Sequence, residues 1–492
     1  MYLKAEKSGV TCGGKPVLLR GMGLGNWFLP EGYMWLFGSK CDRPRRMEQL
    51  VAELCGEEYA ETFWERFRSA FITEGDVAFI KESGLNSVRL AMNARNLFWF
   101  DADLQAHFQP RMLAHLENLL GWCRKVGIWL ILDMHGAPGG QTGTNIDDSP
   151  HDRPELFENP AYQEMLVRCW QLLAERYKDE PAIGGYDLLN EPLPDWNRHL
   201  WPELVPLYRR LINAIREIDS NHMIILEGAH WDTEFSMFEE LKPGELGENL
   251  LLEIHKYWNS PDEESLADLR CLAAKLEMPL WMGEGGENTL DWYTTAFPMY
   301  ERLGIGWSFW SYKKMATDNS PVTFAKPAGW DRLLTYLDGG PKPDREEAVA
   351  LFDAYLASVA APVYNEDVIR ALLRKAPLTV PAIAFDAEEI HSSCGSGADF
   401  RRTSQATIRF KDGHEGEINW STFGGSQPNG GELAVELSAG DALGFRVEGS
   451  ARAEAVYSGD GDVNIQSGND GLVWARCIRG TVLLERVDLN GE

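Results

Sequence analysis

No stretch of this 492-residue chain is apolar for long enough to cross a membrane. The opening Met1-Tyr2-Leu3-Lys4-Ala5-Glu6-Lys7-Ser8 also lacks the apolar run of a secretory leader, so a cytoplasmic protein is expected. Positive charge is scarce as well. Lys and Arg total 47 against 75 Asp and Glu, and the net charge of -28 repels phosphate backbones and anionic lipid, which argues against nucleic acid and membranes as partners. The 8 cysteines, at 12, 41, 55, 123, 169, 271, 394 and 477, form no Cys-x-x-Cys pair and no dense framework. Reduced, mostly buried thiols are expected in place of a disulfide scaffold. No fixed-period repeat or low-complexity tract is present, which excludes repeat architectures.

What is present is a rhythm of short β-type runs alternating with amphipathic helical patterns, from residue 15 to about 310. Eight strands are predicted: Val17 to Met22, Ser87 to Leu90, Trp129 to Met134, Tyr186 to Leu189, Met223 to Glu227, Leu250 to Ile254, Leu280 to Gly283 and Gly306 to Trp310. Helices are predicted between them, for example over Arg111 to Val126 and Tyr162 to Tyr177, with Gly84, Gly127 and Gly304 at helix C-termini. All but Trp420 and Trp474 of the 18 tryptophans precede residue 331, and Pro377 and Pro381 flank a predicted linker. Beyond it come brief alternating runs such as Glu432 to Leu437 and Val473 to Ile478, separated by Gly, Asp, Asn and Ser. The expected fold class is α/β, a (β/α)8 barrel over residues 1–376 followed by a small all-β, sandwich-like domain over 377–492.

Two of the predicted strands run out at a carboxylate beside Pro or Gly: Tyr186-Asp187-Leu188-Leu189-Asn190-Glu191-Pro192 and Pro279-Leu280-Trp281-Met282-Gly283-Glu284-Gly285. Parallel barrels carry their chemistry at the C-terminal ends of the strands. The fourth and seventh strands face each other across the mouth. Retaining cleavage of a glycosidic bond needs one carboxylic acid to protonate the leaving oxygen and one carboxylate to attack the anomeric carbon, about 5 to 5.5 Å apart. Glu191 and Glu284 suit that pair.

Other predicted strand ends deliver Arg89, His135, Asn190, His255, Tyr257 and Trp310 to the same rim. Zinc would need a third clustered ligand beside His135 and His255, and none stands near them in the sequence, so no metal or cofactor is expected. The order Arg, His, Asn-Glu, His-x-Tyr, Glu, Trp resembles glycoside hydrolase family 5, over roughly residues 15 to 330. The resemblance implies Glu191 as general acid/base and Glu284 as the nucleophile that forms a glycosyl ester. It implies Arg89 and the Tyr257 hydroxyl as the groups that keep Glu284 ionised, and Asn190 as the partner of the sugar 2-hydroxyl. It further implies His135 and His255 as donors around the sugar and Trp310 as a flat face beside the scissile bond.

The segment His135-Gly136-Ala137-Pro138-Gly139-Gly140-Gln141-Thr142-Gly143 is similar to the loop of family members that act from the chain ends of β-1,3-glucans. In such relatives an acidic residue soon after the first strand grips the terminal sugar, and Glu31 is the nearest candidate. Insertions at residues 29–73, 136–160 and 311–330 are expected to wall in the cleft as long rim loops. Trp196, Trp201, Trp231, Trp258 and Trp292 follow strands four to seven, where indole faces stack sugars.

The expectation is therefore a retaining β-glycosidase, exo-acting on a β-glucoside or short β-glucan, with a carbohydrate as its partner. An endo-β-glucanase or mannanase, and a glycosidase for another terminal sugar, a furanoside or a glycolipid, are the alternatives within the class. Outside it stand a catalytically inert sugar-binding barrel and a metal-dependent barrel hydrolase. Sparse aromatics in the tail, Trp420, Phe423, Tyr457 and Trp474, favour a structural role there over carbohydrate binding. Oligomeric state is not encoded in these patterns.

Overall fold

Eight parallel strands close into a barrel in the computed structural model of this protein, which describes residues 1–392, 397–413, 415, 418–420, 432–449, 451–468 and 470–491. They are β1 (Arg20–Gly23), β2 (Ser87–Asn93), β3 (Trp129–Gly136), β4 (Ile183–Asp187), β5 (Met223–Leu226), β6 (Leu250–Lys256), β7 (Leu280–Gly286) and β8 (Gly306–Trp310), each beside its sequence neighbour, with β8 returning to β1. Each of the eight predicted runs overlaps a strand, with 17–19 and 188–189 falling outside β1 and β4. Mostly apolar runs, broken by a single buried charge such as Arg89, Asp133, Asp187, Glu253 or Glu284, explain why. A parallel strand covered by helices outside and packed side chains inside has no wet face to mark with polar residues.

The helices Pro110–Val126 and Pro160–Tyr177 each begin with proline in the first turn, where its missing N–H is no loss. The first ends at Gly127, whose φ of 71° is the left-handed stop expected there.

Three boundaries differ from expectation in ways that matter for the site. β2 runs on to Asn93, so Arg89 lies in mid-strand and its side chain is buried in the barrel instead of ending at the rim. β7 continues to Gly286, so Glu284 is likewise inside its strand. β4 stops at Asp187, and Glu191 lies beyond it in a turn with φ of 45°, a left-handed conformation unusual for a residue with a side chain.

The insertion at 29–73 is no open loop. It contains the helices Pro44–Cys55 and Glu57–Phe71, which bury Phe63, Trp64, Phe67 and Phe71. A short antiparallel hairpin, Leu3–Glu6 with Gly9–Cys12, precedes β1, and Leu3 packs with Leu19, Ile131, Met223, Ile225, Leu251 and Trp281. Together they seal one end of the barrel with apolar side chains.

The chain divides into two compact units. One is Met1–His255 with Leu272–Gly285 and Gly306–Tyr364, and the other is Lys256–Cys271 with Gly286–Ile305 and Asn365–Glu492. The second unit contains two antiparallel sheets. In one, Thr481–Asn490 pairs with Leu378–Pro381, Leu433–Ser438 and Arg452–Gly459, and in the other Leu472–Arg479 pairs with Ala442–Arg446 and Asp462–Ser467. Within that unit the Asn288 amide donates to the carbonyls of Tyr257 (2.8 Å) and Trp420 (3.0 Å). Trp420 is buried, Tyr457 and Trp474 are half-buried, and Phe423 and Cys394 lie outside the described residues. No helix among the described residues is long and apolar enough to cross a membrane.

Candidate active site

A single arginine organises the barrel interior. The buried Arg89 guanidinium meets Asp133 (3.2 Å), Asp187 (2.7 Å), Glu227 (3.0 Å), Glu253 (3.4 Å) and, at closest range, Glu284. Its Nη2 also donates to Asn190 Oδ1 at 2.8 Å. One cation cannot balance five buried carboxylates in a medium of low polarity, so protons must stay on some of them. Burial pushes Asp133 up to about 7, with Arg89 pulling the other way. It also pushes Glu227 and Glu253 far above the ordinary carboxylate range.

The two site histidines shift oppositely. Burial lowers His135 to about 4 and His255 to about 3, so both rings are neutral at physiological pH and each carries a single N–H. His135 Nδ1 lies 2.8 Å from Asp133, and its Nε2 lies 3.4 Å from the Asn190 amide nitrogen. His255 spans two acids: Nδ1 is 2.7 Å from Glu191 and Nε2 is 3.2 Å from Glu253. A neutral ring donates to only one of them. For both contacts to be hydrogen bonds, Glu191 or Glu253 must itself carry a proton.

Glu191 and Glu284 are therefore brought together. One oxygen of each and a ring nitrogen of His255 all lie within 4.8 Å of one another. Two further groupings, Asp133 with His135 and Glu284, and Glu227 with Glu253 and His255, also have spacings a metal ion would accept. All three share members with the hydrogen-bonded network just described.

The Glu191 backbone N–H donates to Glu227 Oε2 at 2.6 Å, which fixes the left-handed turn. Gln141, in the loop after β3, ties neighbouring strand ends together. Its amide donates to the carbonyls of His135 and Asn190, both at 2.8 Å, and its oxygen accepts from Ala137 N–H. Gly283 precedes Glu284 because the space for a Cβ is already filled by the Glu253 carboxylate.

Trp310 stacks on His135 with ring centroids 5.1 Å apart and planes 9° apart, and its indole N–H donates to the Tyr33 hydroxyl at 3.2 Å. Gly23 and Gly25 are glycines because a Cβ at either would enter that indole. Glu31 is buried at the start of the short turn that carries Tyr33. Tyr257 follows β6 in the second compact unit. Of the five rim tryptophans, Trp292 is core, with its N–H bonded to Asn259 O, whereas Trp196 and Trp258 are exposed.

Glu227, Glu253, Asp187 and Gln141 are not marked as site residues by the sequence patterns. Glu227 does end the run Met223 to Glu227, and its position after four apolar residues was the available signal. The long loops are also fastened by charge. Asp148 accepts from Arg45 N–H (2.9 Å), Asn93 (3.0 Å) and Arg95 (2.5 Å), joining the first insertion to the third-strand loop.

The burial of Asp133 has a measurable sign. A carboxyl that ionises near pH 4 in the unfolded chain but only at about 7 in the fold gives stability that is complete below about pH 4 and lost as pH rises to about 7. Asp133→Asn, permanently neutral, escapes that loss. Its unfolding midpoint minus that of the wild type is expected to climb from pH 4 to 7 and then level off. A pH-independent difference would mean that Asp133 is ionised throughout.

A family model described as cellulase, glycosyl hydrolase family 5, matches residues 53–316. A β-xylosidase of Phanerodontia chrysosporium is 33% identical over 258 residues, which is 52% of this chain and 52% of the relative. A probable glucan 1,3-β-glucosidase A of Emericella nidulans is 29% identical over 245 residues, 49% of this chain and 57% of its own. The chain thus spans about half the length of these curated relatives. Among solved structures, AoRut matches with a TM-score of 0.50 at 16% identity, over 60% of this chain and 89% of that one, which is a likeness of fold.

Proposed function

Because the chain belongs to glycosyl hydrolase family 5, we propose that it is a retaining β-glycosidase that cleaves by double displacement. Glu191 serves as general acid/base and Glu284 as nucleophile. The observation that carries this reading is the approach of Glu191 and Glu284 oxygens to within 4.8 Å, with His255 between them. Inverting enzymes hold their two carboxyls roughly 6.5 to 9.5 Å apart, to leave room for a water. Oxygens this close support the retaining arrangement.

The Arg89 guanidinium is paired with Glu284 and holds the nucleophile in place. Neutral His255 exchanges a hydrogen bond with Glu191 in either protonation state, as an acid that later acts as a base requires. The Asn190 amide, its oxygen already held by Arg89, is free to offer an N–H to the sugar 2-hydroxyl. His135, Trp310 and Glu31 complete the sugar site in this proposal. The names of the relatives, and the first insertion fastened to the third-strand loop through Asp148, support an enclosed cleft and release of a terminal β-glucosyl or related unit. The barrel over residues 1–376 carries this chemistry, and the all-β region 377–492 is assigned a structural role.

Stereochemistry tests the mechanism. Product formed in the first minutes of hydrolysis, read by proton NMR, is expected to keep the β configuration before it mutarotates, and α product would rule out double displacement. Chain length tests the mode of attack. An exo-enzyme hydrolyses aryl monoglycosides, whereas an endo-enzyme requires oligosaccharides.

A further inference from the structure

Behind Glu191 stand three side chains in a line, and each hands a constraint to the next. Asp187, the last residue of β4, accepts the Arg89 Nε–H through Oδ2 at 2.8 Å. Glu253, in β6, has its Oε1 3.4 Å from Arg89 Nε and 3.2 Å from His255 Nε2. The other face of the His255 ring meets Glu191, with Nδ1 2.7 Å from Oε1. This leaves Asp187 Oδ1 and Glu253 Oε2, both buried, which no N–H or hydroxyl reaches among the described residues.

The two carboxyls are bonded to each other, with Asp187 accepting from Glu253. Ionised carboxyls only accept, so this bond needs a proton, and Glu253 is the one that holds it. Burial pushes both acids up, Glu253 the further, while Asp187 has Arg89 at 2.7 Å as its counter-ion. With its O–H committed to Asp187, Glu253 can only accept through Oε1, and what faces that oxygen is Nε2. A neutral imidazole has one N–H. Placed on Nε2, it leaves a lone pair on Nδ1, and the contact with Glu191 is then a hydrogen bond only when Glu191 is the donor. His255 can still turn an N–H to an ionised Glu191, but it must abandon Glu253 to do so.

The other charged groups around the ring do not set its tautomer. Glu227 lies 3.7 Å from Nε2 and Glu284 3.6 Å from Nδ1, both beyond hydrogen-bond reach, and Arg89 and His135 act on it only through space. Glu253 in turn feels Arg89, Asp133, Asp187 and Asp232. Its place is kept open by Gly283 in β7, where a Cβ would fall on the Glu253 carboxylate.

We propose that Asp187 and Glu253 are positioning residues for the acid step, which fix the His255 tautomer and so hold the transferable proton on Glu191 until the leaving oxygen takes it. The inference rests on Glu191 as the acid/base. In that step the Glu191 O–H bond breaks as the leaving oxygen gains the proton, and the anomeric carbon passes from that oxygen to Glu284. His255, Glu253 and Asp187 end the step with the protons they began with.

The tautomer is read directly by ¹⁵N NMR of the full chain labelled at histidine, with His255→Gln identifying the signals. Near neutral pH the proton is expected on Nε2, and a ring protonated on Nδ1 overturns the proposal. Kinetics read the consequence. The alkaline limb of kcat/KM against pH, measured with a phenyl β-glycoside, marks the loss of the proton that Glu191 must give. Glu253→Gln copies the neutral carboxyl, its amide N–H donating to Asp187 and its oxygen accepting from Nε2, so the limb is expected to stay within about 0.3 pH units whatever happens to kcat itself. Glu253→Leu offers Nε2 no acceptor. The ring then turns its N–H to ionised Glu191, and the limb is expected to move down by about one unit or more. A limb displaced as far in Glu253→Gln as in Glu253→Leu, or unmoved in Glu253→Leu, overturns the proposal. The underlying reading is tested separately by Glu191→Gln, which must lose far more kcat/KM on the phenyl glycoside than on the 2,4-dinitrophenyl glycoside, whose leaving group departs with little need of a proton. Without that asymmetry the acid/base assignment itself fails, whichever nitrogen of His255 carries the proton.

Discussion

Glu284→Ala is expected to lower kcat by about 10^4-fold or more, since removing a nucleophile forfeits most of the rate enhancement that a covalent route provides. Sugar binding should survive, because the hydroxyl-binding groups remain and a buried negative charge has been removed from beside Arg89. The space vacated lies on the face opposite the departing group. A small anion such as azide should therefore enter it, attack the anomeric carbon directly and restore turnover, giving the α-glycosyl azide. Normal hydrolysis by Glu284→Ala, or a β-azide product, would show that some other group attacks.

Arg89→Met is expected to be the most destabilising single change in the barrel interior, at about 3 to 5 kcal/mol, the cost of leaving a buried charge without its partner. Five carboxyl groups rely on this one guanidinium, and those of Asp133, Asp187, Glu227 and Glu284 lie within 3.2 Å of it. Without it Asp133, Asp187, Glu227 and Glu253 hold their protons to higher pH in the fold, while the unfolded chain is unaffected. The sign follows: the deficit relative to wild type is smallest in mild acid and widens as pH rises from about 5 to about 8. Urea denaturation across that range checks it. A midpoint equal to wild type at pH 8 would mean that the carboxyls are already neutral and that Arg89 is not their counter-ion.

The eight strands were legible because burial on both faces leaves short, mostly apolar runs, and such runs separated by helical periodicity admit few arrangements. Helix Pro110–Val126 and strand Gly306–Trp310 fall where the pattern put them, the helix to within one residue. The helices within 29–73 were less legible. Their buried Phe63, Trp64, Phe67 and Phe71 follow a helical spacing, but the segment was weighed as an insertion between strands and not for its own periodicity. Arg89 was read at a strand end because a charge after apolar residues usually marks one. In the fold it is the interior counter-ion, a role that depends on acids from β3, β4, β5, β6 and β7.

Local sequence, then, determined which residues meet: a strand has one direction and a fixed rise, so Glu191 and Glu284 near the ends of the fourth and seventh had to approach across the mouth. It determined the closed barrel for the same reason. Protonation was decided only by tertiary structure. Whether a carboxyl is charged depends on how many others share its cation and how little water reaches them, and residues 133, 187, 227 and 253 lie far apart along the chain.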